Sequence, residues 1–189
     1  MSEASSLAGR LLVAMPQIGD PRFEHAVILV CAHGPTHAMG IRLNTPVAGL
    51  TLGELFGKLS VEGRPLRPET PVLAGGPVDR ERGFVLHTDD HFTADSSLAI
   101  GEGLALTATR EVLEAMTDPA AAPRRSVLAL GYAGWGEGQI EDELRENVWL
   151  TAEADLDLIF DADHETKWAR ALAALGVDAA QLSGQAGRA

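Results

Sequence analysis

The chain has 189 residues and a formal net charge of −12, with 15 Lys and Arg against 27 Asp and Glu. At 46% hydrophobic and 22% charged it has the apolar supply of a folded domain, which excludes disorder, and its length fits one compact domain. A single cysteine excludes an internal disulfide, and the acid excess leaves no basic patch to neutralise phosphates, so direct nucleic-acid binding is not expected.

In chain order, Arg10–Met15 is a strand-like run stopped by Pro16. Ala26–His33 is a second, followed by the turn Gly34-Pro35 and by Ala38–Leu43, which predicts a hairpin or adjacent strands. Cys31 falls inside the second run and reads as a small core residue. Thr51-Leu-Gly-Glu54 is a capping box, and Leu52, Leu55, Phe56 and Leu59 repeat at helical spacing behind it, which predicts a short amphipathic helix. Strand-like pieces follow at Pro71–Ala74, Gly83–His87 and Ser97–Ile100. A second helix is predicted over 107–116, stopped by Pro119. Ser126–Leu130 reads as a buried strand entering the glycine-rich block Gly131–Gly138. Ile140, Leu144 and Val148 recur every four residues and predict a helix with one buried side. Asp163 is the expected N-cap of a last helix, with Trp168, Ala171, Leu172 and Leu175 inward and Gly176 at the left-handed C-terminal position. Strands joined by short turns, with helices spaced irregularly among them, predict an α+β fold rather than a regular βαβ array.

The charge is concentrated. Eleven acids lie between Glu137 and Glu165 against one base, Arg145, so this segment carries most of the net charge. The longest apolar run, Ala26–Ala32, is far short of the ~20 residues that span a bilayer, and Met1-Ser-Glu-Ala-Ser-Ser has no apolar core of a signal peptide. A soluble, cytoplasmic protein without a membrane association is expected, with flexible tails at residues 1–8 and 183–189.

Few constellations carry chemistry. His33 and His37, and His87 and His91 with Asp89 and Asp90 between them, have metal-ligand chemistry, but both pairs sit at strand ends, where a four-residue spacing does not converge, so no metal is expected. The tract Asp155–Asp163 places Ile159 and Phe160 where a calcium loop needs oxygen ligands. No Gly-x-Ser-x-Gly elbow, dinucleotide fingerprint or phosphate loop is present, so neither catalytic residues nor a cofactor are assigned. Two glycine motifs remain, Gly75-Gly76-Pro77 and Gly131-Tyr132-Ala-Gly134-Trp135, where a backbone can turn tightly or approach another group closely. One reading is close packing of turns. The other is a shallow ligand or partner site, which with His87, Gln139, Glu143 and Asn147 forms the candidate set.

These residues resemble a known family. Gly9–Pro16, Asp20-Pro-Arg-Phe23, Ala38-Met-Gly40, Asn44, Gly75-Gly-Pro-Val78, Gly83–His87, Gly131–Trp135, Gly138–Glu143 and Asn147-Val-Trp-Leu150 are similar, in one register along nearly the whole chain, to the YqgE/AlgH family of bacterial proteins. The resemblance implies a single α+β domain over residues 1–189, with a mixed, mostly antiparallel, bifurcated and partly barrel-like sheet surrounded by helices. It implies no reaction; the family takes its name from a proposed regulator of alginate production. This chain departs from the family at Asn44-Thr-Pro46, where an arginine is usual in the middle, and in its Gly34-Pro-Thr-His37 turn, which is usually acidic.

The function expected from these observations is non-enzymatic regulation through a protein partner or small ligand, with any effect on transcription indirect. The competing reading is a hydrolase-type enzyme with its site near the expected Gly75–Pro77 and Gly131–Gly138 loops and with His87 or Glu143 as acid–base group.

Overall fold

The computed structural model describes residues 6–16 and 19–186, so the expected tails at residues 1–8 and 183–189 lie partly outside the described residues. The architecture is mixed α+β. The chain divides into two compact units, one made of residues 1–44 and 133–189 and the other of residues 45–132.

In the first unit, β1 (Arg10–Ala14) lies between β2 (Val27–His33) and β10 (Trp149–Glu153), antiparallel to both. β2 pairs with β3 (His37–Arg42), and β3 pairs with the end of β9 (Ser126–Gly136) from Ala133 to Gly136. All these pairings are antiparallel, including the β2–β3 hairpin, whose short turn requires it. The core of this sheet face is Leu12, Ala14, Ile28, Val30, Trp135, Ile140 and Trp149. Leu7 packs against it, and its backbone N–H donates to His33 Nδ1 at 3.0 Å. Four helices belong to this unit: α3 (Gln139–Arg145), α4 (Leu156–Phe160), α5 (Lys167–Ala174) and α6 (Ala179–Ala186). Trp168, Ala171 and Leu172 of the predicted stripe are buried, whereas Leu175 caps the end of α5 and is exposed; the Trp168 indole N–H donates to Ala14 O at 2.8 Å. Its N-cap is Thr166, not Asp163, whose backbone N–H is instead turned to Asp161.

In the second unit, the first part of β9 pairs with β6 (Val78–Thr88) and, on its other edge, runs parallel to β5 (Pro71–Ala74). β6 pairs with β8 (Leu104–Thr107), β8 with β7 (Ser97–Ile100), and β5 with β4 (Pro46–Thr51). One edge of β9 thus takes β5 at residues 129–130 and β3 from residue 133 onward, which is the fork of a bifurcated sheet. α1 (Leu52–Lys58) carries the predicted capping box in full: Glu54 N–H donates to Thr51 Oγ1, and Thr51 N–H to Glu54 Oε2. With α2 (Arg110–Ala115) it covers a core of Phe56, Val72, Val85, Val112, Met116 and Leu128. The second helix is shorter than the predicted 107–116 because Leu104–Thr107 is a fully buried strand.

Candidate functional site

The glycine-rich block is mostly strand. β9 continues through Gly131–Gly136, and the expectation of a loop there is corrected. What the glycines do is local. Gly131 has φ +78°, and a Cβ there would lie 2.5 Å from Gly76 O and 2.9 Å from Val78 O. Gly75 N–H donates to Leu130 O at 2.8 Å, and a Cβ on Gly75 would run into Gly131 O. The two glycine motifs therefore meet backbone to backbone, where β6 shifts register between Val78 and Gly83. Gly76 and Pro77 form the half-buried turn beside this crossing, and Tyr132 packs edge-on against Phe84 at 5.8 Å.

A second group gathers around Glu143 on α3. Its Oε2 accepts the indole N–H of Trp135 at 2.8 Å and that of Trp149 at 2.9 Å, while Oε1 accepts from Gln139 Nε2 at 3.2 Å. Gln139 Oε1 in turn accepts Gly136 N–H at 3.0 Å. Residues 139 and 143 share a helix face, so one side of α3 ties β9 to β10. Trp135 and Trp149 are both buried, so their rings are core and not the lining of an open site. Gly134 is exposed opposite Met39, and Asn147, at φ 58°, ends the turn after α3 with its N–H on Leu144 O. Trp135, Gln139 and Glu143 are thus brought together directly, and Gly75, Gly76, Pro77 and Tyr132 cluster at the β-crossing.

His87 stands in neither group. It is fully buried, not a surface or turn histidine, between β8 and β9. Its Nδ1 donates to Thr88 O and its Nε2 accepts the Thr107 hydroxyl, both at 2.8 Å. Thr107 Oγ1 can then accept only from Ser97, whose Oγ in turn takes Thr93 N–H. Burial pushes the imidazole below its ordinary range, which keeps it neutral and fits this one-way chain.

Three polar arrangements had no signal in the sequence. His33 and Glu141 are 108 positions apart and meet at 2.6 Å. Because His33 Nδ1 accepts from Leu7, the ring proton sits on Nε2 and is donated to Glu141 Oε1, which lowers the carboxyl below its usual range. Glu141 Oε2 is buried without a partner. Asn44 accepts Val27 N–H and Arg42 Nε and donates to His25 O, pinning the chain at the end of the β2–β3 hairpin. Lys167 is fully buried, and its ammonium donates to Leu43 O and Ile159 O, each at 3.0 Å.

Burial pulls Lys167 from 10.5 to about 8. The unfolded chain holds this proton more tightly than the folded chain, so stability rises with pH between about 8 and 10.5. Below about 8 both states are protonated, and the penalty, roughly 3 kcal/mol, is constant. Cys31, whose thiol burial raises to about 12, acts the other way above its ordinary 9, but it cancels in a comparison of variants. Urea unfolding of Lys167→Met is therefore expected to lose ground to wild type steadily as pH rises from about 8 to about 10, with the difference level below that. A difference level across the whole range would refute the buried-ammonium account.

Eight of the eleven acids in the charged segment are exposed and three half-buried. Glu153, Asp155 and Asp161 line a cavity of about 250 Å³ with Leu11, Ala152 and Ala171 among its apolar walls. Arg170, also on its wall, is paired with Asp161 at 2.9 Å and lowers that carboxyl. Among the described residues no group of three or more His, Cys, Asp or Glu could hold a metal ion, and no helix is long and apolar enough to cross a membrane.

The profile of the AlgH-like family matches residues 11–180. The chain belongs to the AlgH-like family. A UPF0301 protein of Caulobacter vibrioides is 58% identical over 183 residues, covering 97% of this chain and 94% of that one. A UPF0301 protein of Jannaschia sp. is 48% identical over 186 residues, covering 97% and 95%. The solution structure of AlgH from Pseudomonas aeruginosa aligns with a TM-score of 0.77 at 39% identity, over 100% of this chain and 99% of that one. A crystal structure from Corynebacterium diphtheriae, at a TM-score of 0.62 and 19% identity, shares the fold. In this member of the AlgH-like family the resembling blocks Gly75–Val78, Gly131–Trp135 and Gly138–Glu143 are those that hold the β-crossing and the tryptophan brace together.

Proposed function

We propose that this AlgH-like chain is a cytoplasmic regulatory protein without chemistry of its own, which acts by docking a basic protein surface on its acidic segment. The observation that carries this is the cavity walled by Glu153, Asp155 and Asp161 over apolar residues, since a rim of carboxylates around an apolar floor matches a side chain with a long carbon stem and a cationic end. Support comes also from the two groups a hydrolase would use. Both ring nitrogens of His87 are occupied inside the sheet, and Glu143 is committed to two indoles. The same acid excess disfavours phosphate backbones, so an effect on transcription runs through the protein partner.

The test is a Glu153→Gln, Asp155→Asn chain, in which Asn at position 155 keeps the N-cap of α4 while two charges are removed. A basic cytoplasmic protein captured by wild type at low salt is expected to bind the variant about three- to tenfold more weakly and to be released as salt rises. A partner held equally by both chains and indifferent to salt would sink the reading, as would salt-sensitive retention of the wild type on DNA.

A further inference from the structure

We propose that the second unit holds a separate small-molecule site, a pocket for a phosphoryl group between Arg67 and Arg124. The pocket measures about 120 Å³ and is walled by Arg67, Thr70, Arg124 and Ser126 on its polar side and by Leu66 and Pro123 among its apolar residues. It lies outside the acidic segment and shares no residue with the cavity that carries the docking proposal.

Four donor side chains in this wall make no side-chain hydrogen bond or close ion pair among the described residues, and of the four only Arg124 feels a neighbouring carboxylate, that of Asp90. Among the described residues neither the Arg67 nor the Arg124 guanidinium forms an ion pair or a hydrogen bond, whereas Arg22, Arg110, Arg145 and Arg170 are each paired with a carboxylate. The hydroxyls of Thr70 and Ser126 likewise make no hydrogen bond within the described protein. Asp90 attracts the Arg124 charge, and its own oxygens accept Arg124 N–H at 2.9 Å and the Thr88 hydroxyl, so it does not close a salt bridge with the guanidinium.

The backbone that carries these groups is pinned. Leu66 N–H donates to Met116 O, Thr70 N–H to Arg67 O and Leu52 N–H to Thr70 O, while Pro65 and Pro123 are buried with fixed φ. The backbone positions of the donors are therefore set before a ligand arrives, which leaves only side-chain ordering to binding.

Size and donor number identify the ligand class. A volume of about 120 Å³ is far below the roughly 300–1,000 Å³ of pockets for drug-sized ligands, so the pocket takes a single group and not a nucleotide. A carboxylate has two oxygens in one plane and a single charge, so one guanidinium fork already matches both its geometry and its charge. Two forks and two hydroxyls match the three tetrahedral oxygens and nearly double charge of a phosphoryl group. The apolar wall, with Leu66 half exposed, offers contact for a short carbon stem attached to it.

The experiment is a titration of the whole protein followed by amide NMR at constant ionic strength, with inorganic phosphate, glycerol phosphate and acetate as separate probes. Saturable shifts at Arg67, Thr70, Arg124 and Ser126 are expected with both phosphates. Tighter binding of glycerol phosphate would assign the natural ligand as a small phosphomonoester, and equal binding would assign free phosphate; either supports the site. In an Arg67→Gln, Arg124→Gln chain the affinity is expected to fall about tenfold or more. An Arg67→Lys, Arg124→Lys chain, which keeps charge but loses both forks, serves the same comparison if the first variant does not fold. Absence of saturable shifts with either phosphate, equal binding by the variants, or acetate binding as tightly as phosphate would each overturn the proposal.

Discussion

A Gly131→Ala chain is expected to be destabilised by about 3 kcal/mol and to unfold roughly 6–12 °C below wild type. Two costs add. The residue sits at φ +78°, where an L side chain carries a conformational penalty of about 1–2 kcal/mol, and its Cβ would press on two carbonyl oxygens, Gly76 O at 2.5 Å and Val78 O at 2.9 Å. Neither oxygen belongs to a flexible side chain, so relief requires moving the backbone of the β5–β6 turn. Gly138 separates the two costs: it has φ +70° with nothing within 4 Å of its Cβ position, so Gly138→Ala bears the conformational cost alone, about 1 kcal/mol. Thermal unfolding of both variants beside wild type is the measurement. Equal losses at the two positions would show that the crossing of the glycine motifs is not sterically tight.

Replacement of Glu143 by alanine is expected to cost about 3 kcal/mol and to shift tryptophan emission toward the red. Few single side chains here serve more than one buried donor, but this carboxylate takes two indole N–H groups on one oxygen. Removal strands both at once, at roughly 1–3 kcal/mol for each buried donor left without an acceptor. The position is half-buried, so water can reach part of the space left, which holds the total in the lower half of the summed range of roughly 2–6 kcal/mol. Glu143→Gln keeps an oxygen in place but gives up the charge-assisted strength of the bonds, and about half the loss is expected. An alanine variant with the stability and emission of wild type would show that the brace between Trp135 and Trp149 carries no weight.

Local signals were legible in the sequence to different degrees, for physical reasons. The Thr51–Glu54 box was plain because both of its hydrogen bonds run between residues three apart. Gly176, at φ +77°, ends the last predicted helix where that reading placed it. Leu59, by contrast, was grouped with the α1 stripe and is 43% exposed, because the helix stops at Lys58 and periodicity does not report where a helix ends. The strand β10 was hidden because Trp149 and Ala152 are buried only against residues some way off in the chain. In the candidate site, residue types were visible but roles were not. Trp135 and Glu143 were singled out as lining groups, whereas their partners are each other, a fact that depends on the i, i+4 face of α3 turning toward β9. His33 with Glu141, and Lys167 with Leu43 and Ile159, show no spacing pattern because their contacts are tertiary.

The pairing of β1 with β10 joins Arg10 to Glu153 and Ala14 to Trp149, the first strand of the described chain to the last. On the ribosome, then, residues 45–132 have all emerged before the strand that closes the first sheet exists. During that interval Leu11–Ala14, every residue of which is buried in the finished protein, has β2 on one side and an open edge on the other. β10 arrives late, covers that edge, and leaves as the new border a strand of only five residues ending in the exposed Glu153. The order of synthesis thus makes β10, within the acidic C-terminal segment, the last strand of the sheet as well as its outer guard against pairing with a second nascent chain.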